Sequence, residues 1–144
     1  MQRMLLTVER VALLRRVGLF AETPDRALAG VAQVVSEVEV AAGATVMEEG
    51  SVEDWMYVVV DGELEVVSAD RRATVGPGGV VGELAVLDPM PRSATVRAVT
   101  DCLLFRLDKA AFDEVLGERP EIARGVIREL VGRLREVRER PDPA

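Results

Sequence analysis

The sequence predicts an α+β fold: an antiparallel β-roll or jelly-roll barrel of about eight strands, flanked by helices at both ends of the chain. Two observations predict it. Apolar residues recur at three- and four-residue spacing over 4–33 and again over 108–140, the period of a helix face, but occur in short β-rich runs over 34–107. Gly, Pro and Asp break those central runs every few residues, the punctuation of a sandwich or barrel rather than of a parallel sheet. The 144 residues are 49% hydrophobic and 30% charged, enough for a single domain over 1–144 with its own core.

In order along the chain, residues 4–17 place Met4, Val8, Val11, Leu14 and Val17 on one helical face with arginines between them. A second helix is expected at 24–33, with Thr23 as its cap and Pro24 in its first turn. From Val34 the period shortens to two. Strands are expected through Val40 and at 44–48, 55–60, 63–68 and 72–75, and Asp61-Gly62 between two of these runs predicts a hairpin. After Gly76-Pro77-Gly78-Gly79 the segment 80–87 fits neither period. Strands resume at 94–99 and 102–107. Asp108 starts a short helix that Gly117 ends, and Pro120 opens a last helix with Ile122, Val126, Ile127, Leu130, Val131, Leu134 and Val137 as its apolar stripe. Seven Arg and five Glu in 118–140 make its other face, a solvated one with some i,i+4 pairs.

Composition excludes several functions. The charge is 18 − 25 = −7, a field that repels phosphate backbones, so no nucleic acid partner is expected. There is no histidine, which removes Ser-His and Cys-His nucleophile pairs and the usual zinc sites; no metal, no cofactor and no enzyme activity are expected. Cys102, the single cysteine, has no disulfide partner in the chain and reads as a small buried hydrophobe. No stretch has the uninterrupted apolar length of a membrane span or signal peptide, and a cytoplasmic location is expected.

The residues that carry chemistry lie in 82–96, GELAVLDPMPRSATV. A short helical turn starting near Glu83 would present free backbone N–H groups to an anion, and Gly82 would let that anion approach closely. Arg92 supplies a planar donor that matches phosphate. Ser93 adds a hydroxyl, and Glu83 is an acceptor for sugar hydroxyls. Spacing alone leaves a second reading open, in which Glu83 and Arg92 form a surface ion pair of little energetic weight.

The run VGELAVLDPMPRSATVRA resembles the phosphate-binding cassette of cyclic-nucleotide-binding domains, here 81–96. DWMYVVVDGELEVV is similar to that family's glycine-containing hairpin, and TVGPGGVVGE to the turn entering the cassette. CLLFRLDKAAFDEVLGERPEIARGVIREL looks like its last strand and the helices called B and C. The likeness covers about residues 10–138, with Val81 where Phe is common and Asp88-Pro-Met-Pro in place of a looser gap. It implies a sensor of cAMP or cGMP without chemistry of its own. By resemblance, Glu83 holds the ribose 2′-hydroxyl and Arg92 pairs with the cyclic phosphate. Gly82, Leu84, Ala85, Ser93 and Ala94 offer backbone contacts, and Ala73 and Val75 line the base pocket. Arg133, Leu134, Val137 and Arg138 belong to a lid over the purine. Ser93 suits either base, so cAMP and cGMP both stay open. The last helix also fits a homodimer contact, and a ligand-free dimerisation module of the same fold is the alternative function. The resemblance further implies a module of a larger bacterial protein that transmits occupancy through its terminal helices, with no helix-turn-helix domain expected after Val137; the regulated partner is not legible.

Overall fold

A computed structural model of the chain describes residues 7–139. Helix α1 (Thr7–Leu14) and a 3-10 turn (Gly18–Phe20) lead into α2 (Asp25–Val34). Strands β1 (Ser36–Val40), β2 (Thr45–Met47), β3 (Trp55–Asp61), β4 (Leu64–Ser68), β5 (Arg71–Val75) and β6 (Val80–Val81) follow. A 3-10 helix (Glu83–Val86) precedes β7 (Thr95–Ala98) and β8 (Cys102–Asp108), and α3 (Lys109–Glu118) and α4 (Pro120–Glu139) complete the described chain. The eight strands form two antiparallel four-stranded sheets, ordered β1-β8-β3-β6 and β2-β7-β4-β5. Met4, expected on the first helix, lies outside the described residues.

Two expectations from local signals change. Asp61-Gly62 does not close a hairpin: β3 pairs with β6 and β8, whereas β4 pairs with β5 and β7. Gly62, at φ 94°, instead turns the chain over the edge of the sandwich, where a Cβ would lie 2.5 Å from the Asp101 carbonyl oxygen. Beyond this corner the Glu63 carbonyl accepts from Val99 N–H at 2.9 Å and Glu63 N–H donates to Thr100 Oγ1 at 3.1 Å. The true hairpin is β4–β5, with Ser68 opposite Arg71. Thr23 does not cap α2 either. Pro24 occupies the cap position, and the Thr23 hydroxyl is buried without a partner among the described residues. Val34 is the last residue of α2, so the strand period begins at Ser36. The helix expected to end at Gly117 runs to Glu118, and the ambiguous 80–87 segment splits into β6 and the 3-10 helix. Asp108 does cap α3, its carboxylate accepting from Ala111 N–H at 2.8 Å.

The core has two parts. Met56, Val58, Phe105 and Leu107 of β3 and β8 face the helices, packing with Leu14, Phe20, Leu28, Phe112 and Ile122. Tyr57, Val59, Cys102 and Leu104, the alternate residues of the same strands, face the second sheet, packing with Met47, Leu64, Val81 and Val96. Burial on both faces explains why WMYVVV and CLLFRL read as near-continuous apolar runs. The Phe20 and Phe112 rings, 5.8 Å apart, tie the first 3-10 turn to α3.

Candidate functional site

The site is built where β6 ends. Gly82 takes a left-handed conformation, φ 73°, and the chain then winds into the 3-10 helix Glu83–Val86. A Cβ at Gly82 would collide with Arg92 Nη1 and lie 2.9 Å from Met47 Cε. Glycine here therefore lets backbone and guanidinium meet. Within the 3-10 helix, Ala85 N–H is already engaged by the Gly82 carbonyl at 3.0 Å.

The β2–β3 loop fixes Arg92. Its backbone N–H donates to the Ser51 carbonyl, and its carbonyl accepts from Gly50 N–H, both at 2.8 Å. The side chain is 7% exposed. Nη2 donates to the Trp55 carbonyl, with a Glu53 carboxylate oxygen 3.8 Å away. That separation is an ion pair without a hydrogen bond, and Nε is buried with no partner among the described residues. The result is a cation held from behind at the wall of a cavity.

That cavity has a volume of about 500 Å³. Met47, Val66 and Val96 form an apolar floor on the second sheet, beside Ala73 and Val75 of β5 and Val80 and Val81 of β6. Gly82, Leu84 and Ala85 come from the 3-10 helix; Asp88, Met90, Pro91, Arg92, Ser93 and Ala94 come from the loop before β7; and Arg71 stands on β5. An apolar floor with one almost buried guanidinium suits a flat, partly apolar molecule bearing an anion.

The structure thus brings Gly82, Leu84, Ala85, Arg92, Ser93, Ala94, Ala73 and Val75 onto one cavity. It does not bring Glu83 there. The Glu83 carboxylate turns the other way, with Oε1 2.8 Å from Arg133 Nη2 and Oε2 accepting from Leu19 N–H at 3.3 Å. Glu83 and Arg92 accordingly have different ion partners, Arg133 and Glu53, and the surface pair between them does not form.

Nor do Arg133, Leu134, Val137 and Arg138 cover the cavity. Helix α4 is anchored through its first half. Ile122 and Val126 are buried, and Gly125 packs so close to the Glu22–Thr23 backbone that a Cβ would lie 2.8 Å from Thr23 Oγ1. The second half projects away, leaving Leu134 60% and Val137 62% exposed. Arg133 lies over Gly18, where a Cβ would come within 2.8 Å of its Nη2, and its Nε bonds Glu129 at 3.1 Å. Burial works against its charge, but the Glu129 hydrogen bond and the Glu83 carboxylate outweigh it and raise its pKa above the ordinary arginine value.

Sequence reasoning missed Glu53, the Trp55 carbonyl and Arg71. Glu53 lies in a loop far from Arg92 in the chain, and no local spacing joins them. Arg71 was findable, since it alternates with Ala73 and Val75 and so shares their face. Trp55 itself is half-buried, with the Arg106 guanidinium 5.4 Å from its ring centre. Among the described residues no group of three His, Cys, Asp or Glu is placed to hold a metal ion. No described helix is long and apolar enough to cross a membrane.

A family model described as a cyclic nucleotide-binding domain matches residues 37–119. The chain is 30% identical over 132 residues to the CRP-like cAMP-activated global transcriptional regulator of Mycobacterium tuberculosis, covering 85% of this chain and 58% of that protein. It is 34% identical over 111 residues to a cyclic nucleotide-gated potassium channel of Rhizobium etli, covering 77% of this chain and 31% of the channel. The chain therefore spans less than two thirds of the length of these curated relatives. Among solved structures, the N-terminal domain of a transcriptional regulator from Streptomyces coelicolor A3(2) superposes with a TM-score of 0.81 at 36% identity, covering 88% of this chain and 93% of that one. A cyclic nucleotide-binding-like protein from Brucella abortus shares the fold, with a TM-score of 0.69 at 24% identity, over 76% of this chain and 98% of that one.

Proposed function

The chain belongs to the cyclic nucleotide-binding domain family, and from that premise we propose that it is a regulatory sensor domain whose cavity takes a purine 3′,5′-cyclic monophosphate, cAMP or cGMP. The observation that carries the reading is Arg92: a side chain only 7% exposed, at the wall of the cavity, with its nearest carboxylate held at 3.8 Å. A cyclic phosphate supplies the anion that such a donor lacks. The apolar floor of Val66, Ala73 and Val75 suits the flat face of a purine. The names of the relatives, a cAMP-activated regulator, a cyclic nucleotide-gated channel and a cAMP-dependent protein kinase regulatory subunit, point to the same ligand class and to control rather than catalysis.

The ligand acts by population shift: it favours whichever arrangement of the cassette and terminal helices binds it better. Glu83 is the hinge of that reading. Reaching a ribose hydroxyl requires its carboxylate to turn from, or to share, the Arg133 and Leu19 contacts. Calorimetric titration of nucleotide-free protein with cAMP, cGMP and 5′-AMP tests the proposal. Micromolar or tighter binding of a cyclic nucleotide, with weak 5′-AMP binding, is expected; no heat from either cyclic nucleotide overturns it.

One observation favours a second reading, an interaction module that dimerises through α4. Ile127, Val131, Leu134 and Val137 form an exposed apolar row on that helix. Sedimentation of nucleotide-free protein tests it, a dimer without ligand being the expected result.

A further inference from the structure

Arg71 and Arg72 are neighbours on β5, so their side chains leave opposite faces of the sheet. Arg72 pairs with Glu65 at 3.1 Å. Arg71 lines the cavity, and its side chain has neither an ion pair nor a hydrogen bond among the described residues. The register shows what lies beside it. Met47 is opposite Val96, Val96 opposite Val66, and Val66 opposite Ala73, giving an apolar row across the sheet. Arg71 lies two residues before Ala73 on the same face, at the start of the edge strand β5. The Ala73 side chain is too short to separate it from the floor.

The cavity-lining side chains able to hydrogen-bond are therefore Arg71, Asp88, Arg92 and Ser93. Arg92, Ser93 and Asp88 all come from the loop before β7, the phosphate side of the cavity. Arg71 is the only such group on the sheet that forms the floor. A guanidinium has donors and no acceptor. The N7/O6 edge of guanine offers two acceptors, which a guanidinium meets with two bonds, whereas the same edge of adenine presents one acceptor and the N6 amino donor.

Resting on the reading of the cavity as a cyclic-nucleotide site, we infer that Arg71 is a specificity-determining residue that recognises the N7/O6 edge of a guanine. The domain accordingly prefers cGMP, although two of its relatives carry cAMP in their names.

Titration of nucleotide-free protein with cGMP, cIMP and cAMP tests this, because cIMP keeps N7 and O6 but lacks the 2-amino group. cGMP and cIMP are expected to bind at least about fivefold more tightly than cAMP, the lower end of what one bidentate pair discriminates. In Arg71→Ala both should fall to within about threefold of cAMP, while cAMP itself changes little. Arg71→Lys, which keeps the charge without the fork, should lose most of the preference as well. Arg71 is exposed, so an unchanged melting temperature is expected in both variants. A preference for cAMP, a selectivity unchanged in Arg71→Ala, or an equal loss for all three nucleotides overturns the inference and leaves the cavity reading standing. Binding of none of the three overturns both.

Discussion

Glu83 and Arg133 join the cassette to the last helix: carboxylate and guanidinium stand 2.8 Å apart, between the 3-10 helix after β6 and the middle of α4. Both are partly solvated, so the contact adds little to global stability, about 0.5 kcal/mol. Its weight is positional. Arg133→Gln should leave the melting temperature within a degree or two while speeding amide exchange over 127–139 and at Leu19, which loses the ordered Glu83 carboxylate as acceptor. Unchanged exchange in both segments would show that packing alone holds α4.

Arg92→Ala removes the cation at the cavity wall and leaves the Glu53 carboxylate buried without its partner. Cyclic-nucleotide affinity should fall at least about a hundredfold, the loss expected when a desolvated charge pair is truncated. A dissociation constant near wild type, measured by calorimetry on folded variant, would remove Arg92 from the site.

Glu53→Gln keeps the shape behind Arg92 and deletes the countercharge. The Trp55 carbonyl still accepts from Nη2, so affinity should change by less than about tenfold in either direction, well short of the Arg92→Ala loss. A loss as deep as that of Arg92→Ala would make Glu53 equal in weight to the guanidinium it stands behind.

Gly82→Ala imposes a side chain on a left-handed residue, at about 1 kcal/mol, and drives its Cβ into Arg92 Nη1. Lowered melting temperature and weakened nucleotide binding should appear together. Loss of stability with full affinity would place the strain away from the guanidinium.

Phe112→Ala opens a hole where α3 meets Phe20, and should cost about 3–5 kcal/mol as read from denaturant midpoints. A cost below about 1 kcal/mol would mean that the helices repack freely over the first sheet.

What the sequence showed, and what it hid, divides along how far each signal reaches. Asp108 as the cap of α3 and Pro120 at the start of α4 are written in the few residues around them, and both stand. The cassette run was legible for the same reason, since Gly82 through Ala94 is one continuous stretch. Asp61-Gly62 carries a real turn signal, but a turn does not say which sheet the next strand joins; that was decided by Val99 and Thr100 bonding Glu63. The direction of the Glu83 carboxylate was likewise illegible, because it is set by Leu19 and Arg133, which only the fold brings near. The lid expected of Arg133, Leu134, Val137 and Arg138 rested on the family resemblance, and a likeness along the chain does not give where the helix points.

The middle strands β3 and β8 serve as a party wall between the helices and the second sheet, with Met56, Val58, Phe105 and Leu107 on one side and Tyr57, Val59 and Leu104 on the other. Variation is therefore unevenly available to this domain. A polar residue at any of these positions would enter one or other half of the core. Edge strand β5 has no buried residue and can change without that cost. Ligand preference can drift at Arg71 and Ala73 while the partition behind them stays fixed.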